Sequence, residues 1–432
     1  MGVAASQPLL SLRSFRWIPG IHWINQANMI RIFGALLLLT LGLGAAPARF
    51  TQDRFAIGFW VPPKATNNLP ERYREIRDAH FNLVIGTAGF TAEEQIRVCE
   101  PLGLKVLVDA EDASKPLPEG PACWGYSLTD EPGTTAFPAL AARVASLREQ
   151  RPGRLGYINL FPNYAAPEQL RATNYNEYLR RFIETVKPDV LSMDHYPLMS
   201  PGNDSRGEYL RNLESMRKHS VAAGIPFWNF FHSMPFGDRM DPTEAQIRWM
   251  IHASIAHGSK GILYFCYWTP GKGNGGTGEF PKGGALLTAE GIKTRHYDEA
   301  RRINAGLEQW GPVLMRLTGQ GVLRYTTGSS SAELARTGLL SLMRVGSDPE
   351  STFLVGALNH ADGRRAVLLL NHNMAYTAWP TVVFDSEEEV REVSREDGRE
   401  HPLLDDSPEL PGVQLSFGAG DARLFLLPPA KK

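Results

Sequence analysis

The sequence predicts an α/β fold, namely a (β/α)8 TIM barrel followed by a C-terminal antiparallel β-sandwich. Eight short apolar runs between residues 55 and 310 are separated by stretches with helical periodicity. Beyond residue 318 the pattern changes to short strands separated by turns. The chain has 432 residues, and a barrel of about 250 residues leaves room for a smaller second domain.

The composition is that of a globular protein, with 43% hydrophobic and 21% charged residues. The formal net charge of −1 gives no electrostatic reason to expect nucleic acid as a partner. Three cysteines are too few for a disulfide framework. Cys99 and Cys123 are both expected at the lower face of the barrel, where they could pair and leave Cys266 buried.

Residues 1–48 are predicted to be a signal peptide region. An apolar run follows Arg31, and Ala46, Pro47 and Ala48 form a small-x-small cleavage site. The run is shorter than the roughly 20 residues of a membrane span. We therefore expect a secreted or periplasmic protein with no membrane contact after cleavage, and an uncleaved membrane anchor is the alternative.

The barrel prediction depends on the regular alternation of strands and helices. The candidate strands cover residues 55–61, 81–87, 104–109, 123–130, 155–161, 189–194, 225–232 and 261–268. The candidate helices cover residues 69–79, 91–102, 134–150, 166–187, 207–223 and 242–257. The connection 112–122 contains three prolines, so no helix is expected there. A doubly wound open sheet is the alternative, but the sequence contains no GxGxxG that would support it.

The remainder of the chain is predicted to form a closing helix and an all-β domain. The helix covers residues 298–317, and eight short strands follow between residues 322 and 427. Asp362-Gly363 predicts one hairpin and residues 418–421 predict another. The expected domains are therefore 1–48, a catalytic barrel over 49–318 and a β-sandwich over 319–432.

The carboxyl end of the fourth strand carries the first candidate functional residues, because barrel active sites lie at that face. The strand runs into Asp130, Glu131 and Pro132. Alternation places Glu131 on the inward face and places Trp124 and Asp130 on the outward face. Glu131 is therefore expected at the mouth of the barrel. The alternative is that Asp130 and Glu131 only cap the next helix.

The sixth strand supplies a second carboxylate. Ser192 and Asp194 share its small-residue face, so Asp194 is also expected at the mouth. Glycosidic cleavage needs such a pair, with one protonated acid for the leaving oxygen and one carboxylate as base, nucleophile or cation stabiliser. The alternative is that Asp194 only orients His195 or Tyr196. The candidate catalytic residues are Glu131, Asp194 and, in support, Asp130.

Aromatic and histidine side chains near the same strand ends are candidates for sugar binding, because aromatic faces stack on sugar C–H groups. These candidates are Trp60, Tyr157, His195, Tyr196, Trp228, His232, Tyr267 and Trp268. Core packing is the alternative for each of them. The glycine-rich loop 271–284, which contains Glu279, is expected to be a flap over the mouth.

Motifs for other chemistry are absent from the sequence. It contains no HExxH or CxxC, so no metal site and no cofactor are predicted. The acids Asp109, Glu111 and Asp112 could hold a cation only by coincidence. A serine nucleophile is unsupported because no GxSxG occurs.

From about residue 55 to 428 the chain resembles secreted glycoside hydrolases of the beta-galactosidase-like superfamily. The segments that carry the resemblance are 124–132 (WGYSLTDEP), 192–197 (SMDHYP), 261–270 (GILYFCYWTP) and 286–312. The resemblance implies a general acid at Glu131, although the common pattern there is Asn-Glu. It also implies a nucleophilic Glu at the end of strand seven, but in this sequence strand seven ends in His232 and has no acid there.

The adjacent Asp130 and Glu131 are similar instead to the pair in substrate-assisted hexosaminidases. That resemblance implies that Glu131 protonates the leaving oxygen while Asp130 holds the 2-acetamido group of the substrate, which is itself the nucleophile. Three functions therefore remain open. They are a glycoside hydrolase acting on an oligo- or polysaccharide, a substrate-assisted N-acetylhexosaminidase, and a non-catalytic carbohydrate-binding barrel.

Overall fold

The computed structural model describes residues 47–430, apart from 65–67, 88, 90, 111, 113, 202, 272–283, 347–350, 387 and 406. The signal peptide region, except for its last two residues, lies outside the described residues. So do Glu111, Glu279 and most of the glycine-rich loop.

The first part of the chain forms a closed barrel of eight parallel strands, as predicted. The last strand pairs with the first, Ala56 opposite Gly261. The strands are β1 (Ala56–Trp60), β2 (Leu83–Ile85), β3 (Lys105–Asp109), β4 (Cys123–Asp130), β5 (Leu155–Leu160), β6 (Leu191–Asp194), β7 (Phe227–His232) and β8 (Gly261–Phe265). Each lies within its predicted run.

Helices surround the barrel and return the chain between parallel strands. They are α1 (Leu69–Asp78), α2 (Ala92–Cys99), α3 (Phe137–Gln150), α4 (Pro167–Leu170), α5 (Tyr175–Val186), α6 (Arg206–Ala223), α7 (Glu244–Ala256) and α8 (Arg295–Leu314). In the described part of the 112–122 connection there is no helix, as its prolines predict. The single helix predicted over 166–187 is divided, because Asn174 caps α5 by accepting from the backbone N–H of Glu177.

The second part of the chain forms two antiparallel sheets. Its elements are β9 (Leu317–Thr326), α9 (Ser331–Ala335), β10 (Leu340–Arg344), β11 (Thr352–His360), β12 (Arg365–Asn371), β13 (Thr381–Phe384), β14 (Arg391–Val393), β15 (Glu400–Pro402), β16 (Val413–Gln414) and β17 (Ala422–Leu427). The larger sheet has the order β15-β14-β17-β12-β11-β9, and the smaller has the order β10-β13-β16. The predicted sandwich is confirmed, whereas the boundary at 318/319 stays a prediction.

Two turns of the sandwich were predicted as hairpins. The turn at Asp362-Gly363 joins the antiparallel pair β11 and β12, and Gly363 has a φ of +94°. The prediction for 418–421 is wrong, because this turn joins β16 of the small sheet to β17 of the large sheet.

The larger sheet buries both of its faces. Leu354, Leu368 and Leu370 belong to the hydrophobic cluster that includes the barrel helices. Phe353 and Val367 point to the opposite side, into the core between the two sheets. This alternation follows from the period-two geometry of strands and attaches the sandwich to the barrel.

The cysteines are all buried and free, and all three lie among the described residues. The predicted pairing of Cys99 with Cys123 is therefore wrong, whereas the burial of Cys266 is confirmed. Within the described residues, no helix is both long and apolar enough to cross a membrane.

Candidate active site

The end of β4 projects two acidic side chains at the mouth of the barrel. Asp130 is the last residue of the strand, and Glu131 follows with a φ of +46°. A residue with a side chain seldom adopts such a left-handed conformation, and functional sites are enriched in it. The backbone N–H of Glu131 donates to the carbonyl oxygen of Asn159 on β5 at 2.9 Å, which fixes the turn.

Two register shifts change the predicted orientation of the β4 side chains. The pairing of β4 with β5 shifts between Ser127 and Thr129, which brings Asp130 opposite Asn159. The pairing of β3 with β4 shifts near Gly125, and Trp124 then packs inside the barrel. The outward orientation predicted for Trp124 and Asp130 is therefore wrong, because strict alternation does not hold across β-bulges.

Asn159 links the acidic residues of β4 and β6. Its Nδ2 donates to Asp130 Oδ1 at 3.1 Å and to Asp194 Oδ1 at 2.9 Å. Its Oδ1 accepts from the Ser192 hydroxyl at 3.1 Å, and that hydroxyl is 2.8 Å from the Tyr157 hydroxyl. With its oxygen accepting from Ser192, the amide has its nitrogen available for both carboxyl groups.

Glu131 and Asp194 meet directly, with a hydrogen bond between their carboxyl groups. Burial and the charge of Asp130 raise the pKa of Glu131 to about 7, although the hydrogen bond with Asp194 acts to lower it. Burial and the nearby charges of Glu131 and Asp130 raise the pKa of Asp194 well above its usual range. Two carboxyl groups in such contact share one proton near neutrality.

The two carboxyl groups differ in their access to solvent. Asp194 is only 6% exposed, whereas Glu131 is half-buried at the mouth. Glu131 is therefore the group that can reach a bound molecule, and Asp194 is the partner that keeps a proton nearby. Such a pair can act in acid–base chemistry close to pH 7.

Three of the predicted sugar-binding residues lie at or near the mouth. Tyr196 packs in the inner barrel cluster, and Trp60 lies at its edge, half-buried. His232 ends β7 and is completely buried, with its ring 6.0 Å from that of Tyr196. Neither ring nitrogen of His232 has a hydrogen-bond partner among the described residues, and burial lowers its pKa to about 3. It is therefore neutral at pH 7.

Five predicted sugar-binding residues lie elsewhere. Trp228 stacks on Trp124 inside the barrel and donates to Gln52 near its lower end. His195 points to α6, where its Nδ1 is 2.9 Å from Asn212 Oδ1. Tyr267 stacks on Phe59 in the outer core, and Trp268 donates to the Ala289 carbonyl. The Tyr157 hydroxyl is hydrogen-bonded to the Ser192 hydroxyl, which in turn contacts Asn159.

The sequence pattern missed three polar residues of the site. Asn159 shares a strand face with Tyr157, and this alternation could have indicated it. Tyr164 lies in the loop after β5 and is 47% exposed, and burial of its hydroxyl together with the charge of Asp194 raises its pKa to about 12. Arg239 follows β7, and its positive charge acts to lower the pKa of Tyr164. Neither loop residue has a periodic signal.

A cavity of about 580 Å³ lies at the opposite end of the barrel, lined in part by Gln52, Asp189 and Lys260. Burial lowers the pKa of Lys260 to about 7, and its Nζ donates to the carbonyls of Leu314 and Leu317. Lys260 thus anchors the end of α8, so the acidic pair at the mouth remains the better candidate site. Among the described residues, no group of three or more His, Cys, Asp or Glu side chains could hold a metal ion.

Comparison with solved structures shows which proteins have a similar fold. No family model matches the chain, and no curated protein is significantly similar to it in sequence. A family 42 beta-galactosidase from G. stearothermophilus superposes with a TM-score of 0.56 and 10% identity, covering 88% of this chain and 99% of that one. This similarity shows the shared fold alone.

Two further solved structures superpose less well. One is a family 39 glycoside hydrolase from Bacteroides cellulosilyticus WH2, with a TM-score of 0.42 and 14% identity over 86% of this chain and 81% of that one. The other is a beta-glucuronidase from Faecalibacterium prausnitzii, with a TM-score of 0.42 and 12% identity over 58% of this chain. The match spans 48% of the glucuronidase, about half its length.

Proposed function

We propose that this protein is a glycoside hydrolase that cleaves O-glycosidic bonds of an oligo- or polysaccharide. Glu131 is the general acid, Asp194 is the second carboxylate and Asp130 supports them. The observation that carries the proposal is the proton-sharing contact of Glu131 with Asp194 at the carboxyl end of a parallel barrel. The fold shared with a beta-galactosidase supports it by analogy.

Glu131 supplies the proton that the leaving group requires. As the glycosidic C–O bond breaks, Glu131 donates its proton to the departing oxygen and becomes a carboxylate, and a water molecule then adds its oxygen to the anomeric carbon and gives up a proton that restores the acid. Asp194 remains buried beside it, hydrogen-bonded to Asn159. Tyr196 and Trp60 offer aromatic surfaces to the sugar ring.

A substrate-assisted N-acetylhexosaminidase is the second candidate, and the carboxyl contact favours it. Retaining enzymes separate their two carboxyl groups by about 5–5.5 Å and inverting enzymes by about 6.5–9.5 Å, whereas these two are hydrogen-bonded. The end of β7 offers only the buried, neutral His232. A 2-acetamido group of the substrate would then be the nucleophile, and Asp130, held by Asn159, would orient it.

Hydrolysis of aryl glycosides tests the proposal. The panel contains matched sugars with and without a 2-acetamido group, and the enzymes are the wild type, Glu131→Gln and the control Glu168→Gln, whose side chain is exposed on α4. We expect Glu131→Gln to lower kcat by roughly 10²–10⁴-fold, the usual contribution of a general acid. The control should match the wild type.

The pattern of substrates then separates the candidates. Turnover restricted to 2-acetamido sugars supports the substrate-assisted mechanism, and turnover of both classes supports Asp194 as the second carboxylate. Sugar binding without hydrolysis, unchanged in Glu131→Gln, would contradict the proposal and indicate a carbohydrate-binding barrel.

We also propose that the protein is secreted or periplasmic, because of the apolar run and cleavage site within residues 1–48. An exported chain that begins after Ala48 would support this localisation, and an intact N-terminus on a membrane-bound protein would contradict it.

A further inference from the structure

Arg239 lies on the connection that follows β7 at the rim of the mouth. This connection is tied to the one after β6, because Met240 N–H donates to the Leu198 carbonyl at 3.0 Å and Ser200 N–H donates to the Asp238 carbonyl at 2.8 Å. An isolated β-bridge joins Met199 to Arg239 itself. The backbone that carries Arg239 is therefore held in place by the barrel.

The guanidinium group of Arg239 is oriented by its neighbours. Its Cζ lies 5.2 Å from the centre of the Phe236 ring, a cation–π arrangement. The positive charge of the group acts to lower the pKa of the Tyr164 hydroxyl, and its Nε is buried without a hydrogen-bond partner among the described residues. A half-buried cation of this kind has lost hydration that its present contacts only partly replace.

Arg239 forms no ion pair with the described residues. By contrast, the nearby Arg206 pairs with Asp204 and Arg211 pairs with Glu208. The charge of Arg239 acts to lower the pKa of Tyr164, and the charges of Asp194 and Glu131 act to raise it, so all three groups lie near the Tyr164 hydroxyl.

We propose that Arg239, with Tyr164, forms a subsite for an anionic group on the sugar bound beside Glu131. The proposal rests on the proposed function and names its substrate class, an acidic sugar that carries a carboxylate or a sulfate. Arginine is suited to both groups, because its planar fork of N–H donors binds two oxygens at once. The substrate anion would also be the missing partner for Nε.

Matched substrates test the subsite. An aryl galactoside, the corresponding galacturonide and a 6-sulfated galactoside present the same ring with no charge, a carboxylate or a sulfate. The enzymes are the wild type, Arg239→Gln, Arg239→Lys and the control Arg211→Gln, whose side chain is 70% exposed on α6. Thermal unfolding of each variant verifies that it is folded.

We expect the wild type to prefer one of the anionic substrates. Arg239→Gln should lower kcat/KM for that substrate by about 10²–10³-fold, as for the loss of one partner of a buried charge pair. The loss on the neutral galactoside should be at least tenfold smaller, and Arg239→Lys should recover part of the activity. Equal losses on charged and neutral substrates, or no anionic preference in the wild type, would overturn the proposal.

Calorimetric titration separates this proposal from the proposed function. The probes are galacturonate oligomers and sulfated galactose, and the proteins are Glu131→Gln and the double variant Glu131→Gln/Arg239→Gln. Binding that weakens with added salt and with loss of Arg239 supports the subsite even when no substrate is hydrolysed. Hydrolysis of neutral sugars that does not depend on Arg239 would support the proposed function and contradict the subsite. Failure of both probes to bind would also contradict the subsite.

Discussion

At the scale of single residues, the unequal burial of Glu131 and Asp194 determines how the acidic pair titrates. Asp194 is buried more deeply, and ionising it beside a second carboxylate is unfavourable. The shared proton therefore stays with the pair until the pH approaches 7, and Glu131 is the member that faces solvent. The pair therefore holds a proton near neutral pH, and Glu131 is the carboxyl group that can donate it to a bound molecule.

A first prediction concerns the pH dependence of activity. A general acid must be protonated, so kcat/KM should fall above pH 7, the value near which Glu131 titrates. The negative charge of Asp130 raises this pKa, so Asp130→Asn should move the falling limb to lower pH. Profiles on a neutral aryl glycoside measure the shift, with the exposed sandwich residue Asp405→Asn as control. An unmoved or alkaline-shifted limb in Asp130→Asn would contradict this account.

The sequence indicated some of these residues and not others. Glu131 and Asp194 were accessible to prediction because they end strands, where position along the chain determines position in a barrel. Arg239 and Tyr164 lie in irregular connections, whose path depends on tertiary contacts. Their position near the mouth depends on how the connections after β5 and β7 fold over the barrel.

At the scale of elements, the bulged strand β4 governs the geometry of the site. Gly125 lies close to the backbone of β5, and a Cβ there would overlap the backbone oxygen of Leu155. The absence of a side chain allows this approach, and the register shifts that follow turn Asp130 towards Asn159. The orientation of Asp130 could not be predicted from strict alternation, because a β-bulge does not produce a periodic pattern in the sequence.

A second prediction follows for Gly125→Ala. The added methyl group must displace β5, so we expect a loss of about 1–3 kcal/mol in the free energy of unfolding, typical of overpacking, together with reduced activity. Gly207→Ala on α6 is the control, because its nearest neighbour is 3.7 Å away and alanine favours helices by up to about 1 kcal/mol. Urea unfolding compares them. Equal stability of the two variants would show that the close approach is unimportant.

The secondary structure was largely predictable because each barrel strand is a short apolar run bounded by turn residues. Two kinds of feature were not. Tyr267 and Trp268 continue the apolar run of β8, but the strand ends at Phe265 and both side chains join the outer core. The three-residue strand β15 is too short and polar to have an apolar pattern.

At the scale of the whole molecule, barrel and sandwich share one core. Residues Ala48–Lys432 form one compact unit, and α7 contacts both the barrel and the larger sheet. Trp249 Nε1 donates to His372 Nδ1 at 2.9 Å, and His252 Nδ1 lies 3.1 Å from the Gly420 carbonyl oxygen. Packing of this extent indicates that the sandwich supports the barrel.

A third prediction concerns acid stability, because several histidines are buried in this core and in the barrel. Burial lowers the pKa to about 4 for His195, His252, His257 and His372 and to about 3 for His232. These groups are neutral in the folded protein and become charged in the unfolded chain below about pH 6.5. Their contribution to stability is therefore present above that pH and is lost as the pH falls towards 4.

Urea unfolding at pH 7 and pH 5 measures this effect. We expect a lower free energy of unfolding at pH 5, even though Glu131 and Asp194, whose pKa values are raised, act in the opposite direction. His372→Gln should reduce the difference between the two pH values, and the exposed His401→Gln should not. A protein that is equally or more stable at pH 5 would contradict the prediction.

The central claim, that Glu131 is the general acid of a glycoside hydrolase, is tested most directly by the dependence of Glu131→Gln on the leaving group. Two glycosides of the same sugar are compared, one with an acidic dinitrophenol and one with an alcohol that needs protonation. We predict a small loss of kcat on the dinitrophenyl glycoside and a loss of roughly 10²–10⁴-fold on the alkyl glycoside. Equal losses on both substrates, or none on either, would contradict the assignment of Glu131.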